Sequence, residues 1–314
     1  MLTFLGRRLL ATVALLFCVS LVVFLLVHAL PGDPALLFLG EEVDKDTLVK
    51  FRAKLGFDRP LPLQYVQWLG RAVQGDLGRS LRTNQPVTQA IVERLPVTLE
   101  LMGAALLISL AIAVPMGILS AVKRNSGVDL AGTFFALIGF SLPGFWLGLI
   151  LIYVFALVLR WLPPSGFVGL TAGVPDNLRS LALPAITLGT ALAAVVTRQL
   201  RSGMLEVLRQ DYVRTAQAKG LADRMVIGKH ALKNALISVV TVIGLQIGAL
   251  LGNTIITESL FALPGVGRLM IDSVFSRDFF VVQGVILFLA VGYVVANLAV
   301  DILYSYLDPR IRVH

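Results

Sequence analysis

Three histidines, one cysteine and a few glycine-rich turns are the residues of this chain that could carry chemistry. His28, His230 and His314 are too far apart in the order of segments to share a metal ion, which needs three or four converging ligands. Cys18 is the single cysteine and lies in an apolar run, so it permits no internal disulfide and no paired-cysteine metal site. Gly139-Phe140-Ser141-Leu142-Pro143-Gly144 is not the GxSxG turn of a serine hydrolase, and no histidine is placed to serve as its base. A Pro-Gly kink in an apolar helix is the simpler reading. The one Gly-Lys pair, Gly228-Lys229, is followed by His230 and lacks the GxxxxGK[ST] spacing of a phosphate loop. No catalytic constellation emerges.

The elements that hold these residues are apolar. Of 314 residues 57% are hydrophobic and 15% charged, against about 45–50% and about 25% in soluble domains. Six runs lack Asp, Glu, Lys and Arg: 9–32, 101–122, 130–159, 180–197, 235–257 and 279–300. Each reaches the roughly 18 residues of a membrane-spanning helix. The first follows Arg7 and Arg8 but has no small-residue cleavage site after its apolar core, and it ends on Leu30-Pro31-Gly32-Asp33-Pro34. It reads as a retained helix, with Asp33 in the turn between two prolines. The expected fold is an all-α integral membrane protein of six spans.

Charge orients it. One side carries Arg7, Arg8, Lys123, Arg124, Arg310, Arg312 and the segment 198–233, with eight basic and three acidic residues. The basic residues of the short loops opposite are four: Arg160, Arg179, Arg268 and Arg277. The positive-inside rule puts both termini in the cytoplasm. Segment 31–95, with nine basic and eight acidic residues, is too long to vote. Helical spacing of Leu48, Phe51, Leu55 and of Tyr65, Trp68, Leu69 predicts two amphipathic helices there, then a turn at Gly75–Gly78. That segment is read as a cap on the spans or a docking surface for an extracytoplasmic partner. Phe261 to Ile271 is expected to form a short re-entrant or capping helix outside.

The segment 198–233 is the most informative. Residues 211–219 suit a short helix with Tyr212, Thr215, Ala216 and Lys219 on one side, stopped at Gly220 in the left-handed conformation. Thr215, Ala216 and Ala218 are small enough for a partner to approach closely, with Arg214 and Lys219 at the rim. In the fifth run, Gly244, Gly248 and Gly252 form a small-residue face for another helix. Gln246, Asn253 and Thr257 lie roughly opposite and must face protein or a water-filled path. They are read as lining a pathway, with interhelical hydrogen bonding as the alternative.

The segment resembles the cytoplasmic EAA loop of permease subunits in bacterial binding-protein-dependent ABC importers. Arg214-Thr215-Ala216 falls on the EAA triplet, Gly220 on its glycine, and His230-Ala231-Leu232-Lys233 on I-x-L-P. Arg-Thr-Ala-x-Ala-Lys-Gly with His-Ala-Leu-x-Asn-Ala is the form used by the dipeptide, oligopeptide, nickel and glutathione branch. The resemblance extends to Leu30–Pro34, Gly75-Asp76-Leu77-Gly78-Arg79-Ser80, Pro264-Gly265-Val266-Gly267-Arg268, Arg277-Asp278 with Val281-Val282-Gln283, and Asp308-Pro309-Arg310-Ile311-Arg312. Glu100, Asn297 and Asp301 lie in the same matched context. The long segment after the first span resembles that of the first of the two permeases such systems use.

The resemblance implies a type I ABC importer permease fold in the bacterial inner membrane. The cytoplasmic start and first helix would be 1–30, the external segment 31–95, the permease core 96–305 with its coupling loop at 198–233, and the cytoplasmic end 306–314. It further implies a homologous second permease, two cytoplasmic ABC ATPase subunits and an extracytoplasmic solute-binding protein. ATP and Mg would bind those ATPase subunits, with no cofactor in this chain. Arg214, Thr215, Ala216, Lys219, Gly220 and Leu221 would contact the ATPase; the solute would be a di- or oligopeptide or related small molecule. The charge surplus then reports orientation and coupling, not nucleic acid. A stand-alone carrier or channel, and a membrane scaffold for an ATPase, are the competing classes.

Overall fold

A computed structural model describes residues 2–29, 44–56 and 58–307. The Leu30–Pro34 turn, with Asp33, and the Asp308–Arg312 motif lie outside the described residues, as does His314. The described chain is helical. The helices are α1 (Leu2–Ala29), α2 (Lys45–Leu55), α3 (Leu61–Val73), α4 (Val87–Val122), α5 (Gly127–Ser141), α6 (Gly144–Leu151), α7 (Val174–Val207), α8 (Asp211–Ala218), α9 (Lys233–Leu260), α10 (Val266–Phe275) and α11 (Phe279–Leu307). Wider π-helical turns occupy Ile152–Val158 and Val226–Leu232.

Among the described residues, four helices are long and apolar enough to cross a membrane, and a fifth span results if α5 and α6 count as one. A shorter apolar stretch, Leu10–Leu26, lies within α1. This is consistent with six spans, but the third is not one straight helix. α5 and the helix after it diverge by 104° at the break. Pro143 supplies no amide hydrogen and forces Leu142 into extended backbone, so the helix stops and restarts. The kink expected from Pro143-Gly144 is there, and it is a sharp turn. α4 and α7 also outrun their apolar runs: α4, at 36 residues, extends about 54 Å.

The helices fall into two compact units, with boundaries inside α4 and α11. The first unit holds Met1–Pro96 and Pro264–Val294. Both amphipathic helices of the long segment form. Tyr65 and Trp68 of α3 are buried against Phe24 of α1, and the Tyr65 hydroxyl hydrogen-bonds Ser20 at 2.8 Å. Gly75 and Gly78 take positive φ angles of 86° and 90°, as the predicted turn needs. Beyond them, Ser80 donates a 2.5 Å hydrogen bond to Asp278, whose other oxygen accepts from the Leu81 amide at 3.2 Å. Two motifs 198 residues apart thus meet at one buried carboxylate. Ser80→Ala leaves that oxygen short of a partner and is expected to cost about 1–3 kcal/mol. Faster limited proteolysis near Gly78 than in the parent protein is the expected readout. The expected capping helix is α10, and its Val266 packs with Val87, Ile91, Val281 and Val285.

The second unit, Val97–Leu263 and Val295–His314, is built around α7. Leu183, Leu192, Ala193, Val196 and Leu200 of α7 join Leu101 and Ala105 of α4 in the main apolar core. Gly189 makes this possible, because a Cβ there would sit 2.6 Å from the Ala105 carbonyl oxygen. Backbone cannot retreat as a side chain can. Gly189→Leu is therefore expected to destabilise by about 1–3 kcal/mol or more. Gly252→Leu, where nothing lies within 4 Å, is expected to leave the melting temperature of the purified protein unchanged. Two carboxylates brace the same unit: Thr98 donates to the fully buried Glu258 at 2.7 Å, and the Asn177 amide donates to Glu100 and to the Val168 carbonyl oxygen.

Candidate functional site

The predicted coupling segment begins inside a helix, since α7 continues to Val207. A turn at Leu208–Gln210 then leads into α8, whose boundaries agree with the expected short helix. Its termination is chemically specific. Gly220 has φ +78°, its amide donates to the Gln217 carbonyl at 2.9 Å, and the Leu221 amide reaches back to Ala216 at 3.4 Å. These paired bonds, six-to-one and five-to-two, form a Schellman stop, in which glycine avoids the Cβ clash of left-handed backbone. The apolar contact that accompanies such a stop is present: Leu221 packs with Val213, Ala216 and Val226.

This packing divides the six predicted contact residues. Ala216 is 7% exposed and seats α8 on its own chain, with Val213 at 0%. Ala216 is therefore a buried anchor in the structure, and Leu221 is half-buried as part of the same seat. Arg214, Thr215, Lys219 and Gly220 are exposed, joined by Gln217 and Ala218. The sequence grouping of Tyr212, Thr215, Ala216 and Lys219 on one side misses the face by about one residue, because Val226, from beyond the glycine, selects Val213 and Ala216. The outward face is small and polar at Thr215 and Ala218, with Arg209, Arg214, Lys219 and Arg224 exposed around it. Thr215 bonds the Asp211 carbonyl at 2.9 Å, so its hydroxyl is already committed to its own helix.

Two contacts that sequence reasoning missed hold this segment in place. The Asn234 amide donates to the Tyr212 hydroxyl at 2.8 Å and to the His230 carbonyl at 3.0 Å, tying α8 to the base of α9. Ala231 and Ala235, from the His-Ala-Leu-x-Asn-Ala motif, are buried on the other side. Gly228-Lys229-His230 lies in the π-helical turn. Nearby, Asp129 and Arg201 form a bidentate pair, 2.6 and 2.8 Å, and Asp129 also accepts the Asn125 amide at 3.0 Å. This joins the loop after α4 to the end of α7. Ser126-x-x-Asp129 is a helix-start signature that sequence alone could have exposed; Asp129 directly precedes the uncharged run 130–159.

The predicted pathway residues do not share one environment. Gln246 is half-buried and Asn253 is exposed, whereas Thr257 is 5% exposed and returns its hydroxyl to the Asn253 carbonyl. On the glycine face, Gly244 admits Val300 of α11 so closely that a Cβ would lie 2.5 Å from it. Gly248 is buried, and Gly252 faces open space beside Asn253.

Residues 113–313 match the model for "Binding-protein-dependent transport system inner membrane component", and residues 1–102 match its N-terminal companion. The chain belongs to this family. It is 42% identical to the dipeptide transport system permease protein DppB of Alkalihalophilus pseudofirmus over 332 residues, covering 99% of this chain and all of that one. It is 42% identical over 309 residues to the oligopeptide transport system permease protein AppB of Bacillus subtilis, covering 98% of each. The fold is similar to the crystal structure of an amino acid ABC transporter, with TM-score 0.50 and 16% identity over 71% of this chain and 94% of that chain. The permease is therefore a multi-pass membrane component of a binding-protein-dependent transport system, as its sequence motifs implied.

Proposed function

We propose that this permease is the first of two homologous membrane subunits of an ATP-driven importer for a di- or oligopeptide or related small solute. Two cytoplasmic ABC ATPase subunits, holding ATP and Mg, drive it, and an extracytoplasmic binding protein delivers the solute. Both termini lie in the cytoplasm. The observation that carries the reading is α8: a rigid helix, sealed by its Schellman stop and seated through Val213 and Ala216, that leaves a small, basic-edged face outward. A lever between subunits needs those properties. Arg214, Thr215, Lys219 and Gly220 form the ATPase contact, while Ala216 and Leu221 hold it in register.

Gln246 and Asn253 line the solute path, with Thr257 supporting the backbone beside Asn253. The test is uptake of a radiolabelled dipeptide series by proteoliposomes containing the copurified complex and its binding protein. Uptake that requires both ATP and the binding protein is the expected result. Equal uptake by the permease alone would instead identify a stand-alone carrier. Asn253→Cys is expected to react with a hydrophilic thiol reagent in one nucleotide state and be shielded in the other.

A further inference from the structure

α8 is seated along one line of apolar contacts. Val213 and Ala216 pack on Val226 and Leu221, with Val207 and Leu208 completing the seat. Apolar burial holds a helix down but has no direction, so this seat alone would let α8 roll about its own axis. The Schellman stop fixes the far end of the helix. At the near end Gln210 stands at the N-cap, and its side chain makes no capping hydrogen bond.

That near end is tied from the side. Tyr212 lies about 100° round the helix from Val213. There its hydroxyl accepts a 2.8 Å hydrogen bond from Asn234 Nδ2, 22 residues along the chain in the first turn of α9. The same nitrogen donates to the His230 carbonyl at 3.0 Å, in the π-helical turn. A carbonyl oxygen can only accept, so the amide must turn its nitrogen there, and both of its N–H groups are used. Three elements therefore meet at one amide: α8, the π-helical turn and α9. Tyr212 is 44% exposed and Asn234 is exposed, so water competes for the bond. It adds direction, and little folding stability. From Asn234, α9 runs without a proline to Leu260. Gln246 lies about 18 Å and Asn253 about 28 Å along it.

We propose that Asn234 is a positioning residue for transport: its bridge from Tyr212 to His230 stops α8 rolling on its seat, so that a displacement of α8 becomes movement of α9. The inference rests on α8 being the ATPase contact. The test uses the complete importer in proteoliposomes, with its binding protein, and reads dipeptide taken up per ATP hydrolysed. Tyr212→Phe, which removes only the hydroxyl, is expected to lower that ratio roughly threefold, the factor carried by a hydrogen bond at the weak end of the range. Asn234→Leu, of similar shape but with no donor, should do the same. The double variant should fall no further than either alone. Melting temperature and ATPase copurification should match the parent. A ratio unchanged by Tyr212→Phe, or additive losses in the double variant, would overturn the assignment. So would a lowered melting temperature with the ratio intact, the mark of a merely structural contact. A parent importer whose uptake needs no ATP would overturn the ATPase reading itself, and this inference with it.

Discussion

Arg201→Met is expected to destabilise the permease by about 3 kcal/mol, because it strips the partner from a carboxylate enclosed by protein. The Asp129 side chain is 7% exposed and that of Arg201 is 29% exposed. Water can therefore reach the arginine far better than the carboxylate it would leave behind. The loss should exceed that from Asp129→Asn, which retains an acceptor for the Asn125 amide and frees a cation that solvent can reach. The double variant Asp129→Asn/Arg201→Met should be less damaged than the sum of the two, since neither charge is then stranded. Thermal unfolding of the four purified proteins completes the cycle. Additive losses would show that the pair contributes nothing beyond its separate members.

The second large effect is functional and arises at Gly220. Nothing lies within 4 Å of a Cβ built there, so a substitution meets no clash and acts through backbone alone. At φ +78° a side chain costs about 1–2 kcal/mol, and a β-branched one is the least tolerated. Gly220→Val should therefore relax the stop, release the Leu221 seat and misplace the outward face of α8. Peptide uptake by the reconstituted complex is expected to fall roughly tenfold, since 1.4 kcal/mol corresponds to that factor. ATP hydrolysis should persist, now uncoupled from transport. Gly220→Asn, which tolerates left-handed backbone, should retain most uptake. Normal uptake by Gly220→Val would remove α8 from the coupling path.

Much of this was legible in the sequence wherever the signal was local. The uncharged runs located the membrane helices, and Pro143 marked the break within one of them. Gly220 predicted where α8 ends because left-handed backbone is a single-residue requirement. What stayed hidden was set by distant partners. Ala216 looks like a contact residue until Val226, ten positions away, claims it with Val213. Thr257 shares a polar stripe with Asn253, yet its hydroxyl is absorbed by the helix it belongs to. Asp129 and Arg201, or Ser80 and Asp278, carry no mark of their pairing, since only the packed helices bring them together. Glycines were similarly ambiguous: Gly189 and Gly252 look alike in sequence, but one meets a carbonyl and the other open space.

We propose that α8 turns one face to its own chain and the other to an ATPase subunit. Because Cys18 is the single cysteine, Cys18→Ser provides a clean background for site-directed cross-linking. In membranes containing the whole importer, Ala218→Cys treated with a short amine-to-thiol reagent should yield an adduct of permease and ATPase. Val213→Cys, buried beneath the same helix, should yield none. An intact complex that gives no ATPase adduct from position 218, or gives it equally from 213, would contradict this orientation of α8 and the coupling mechanism built on it.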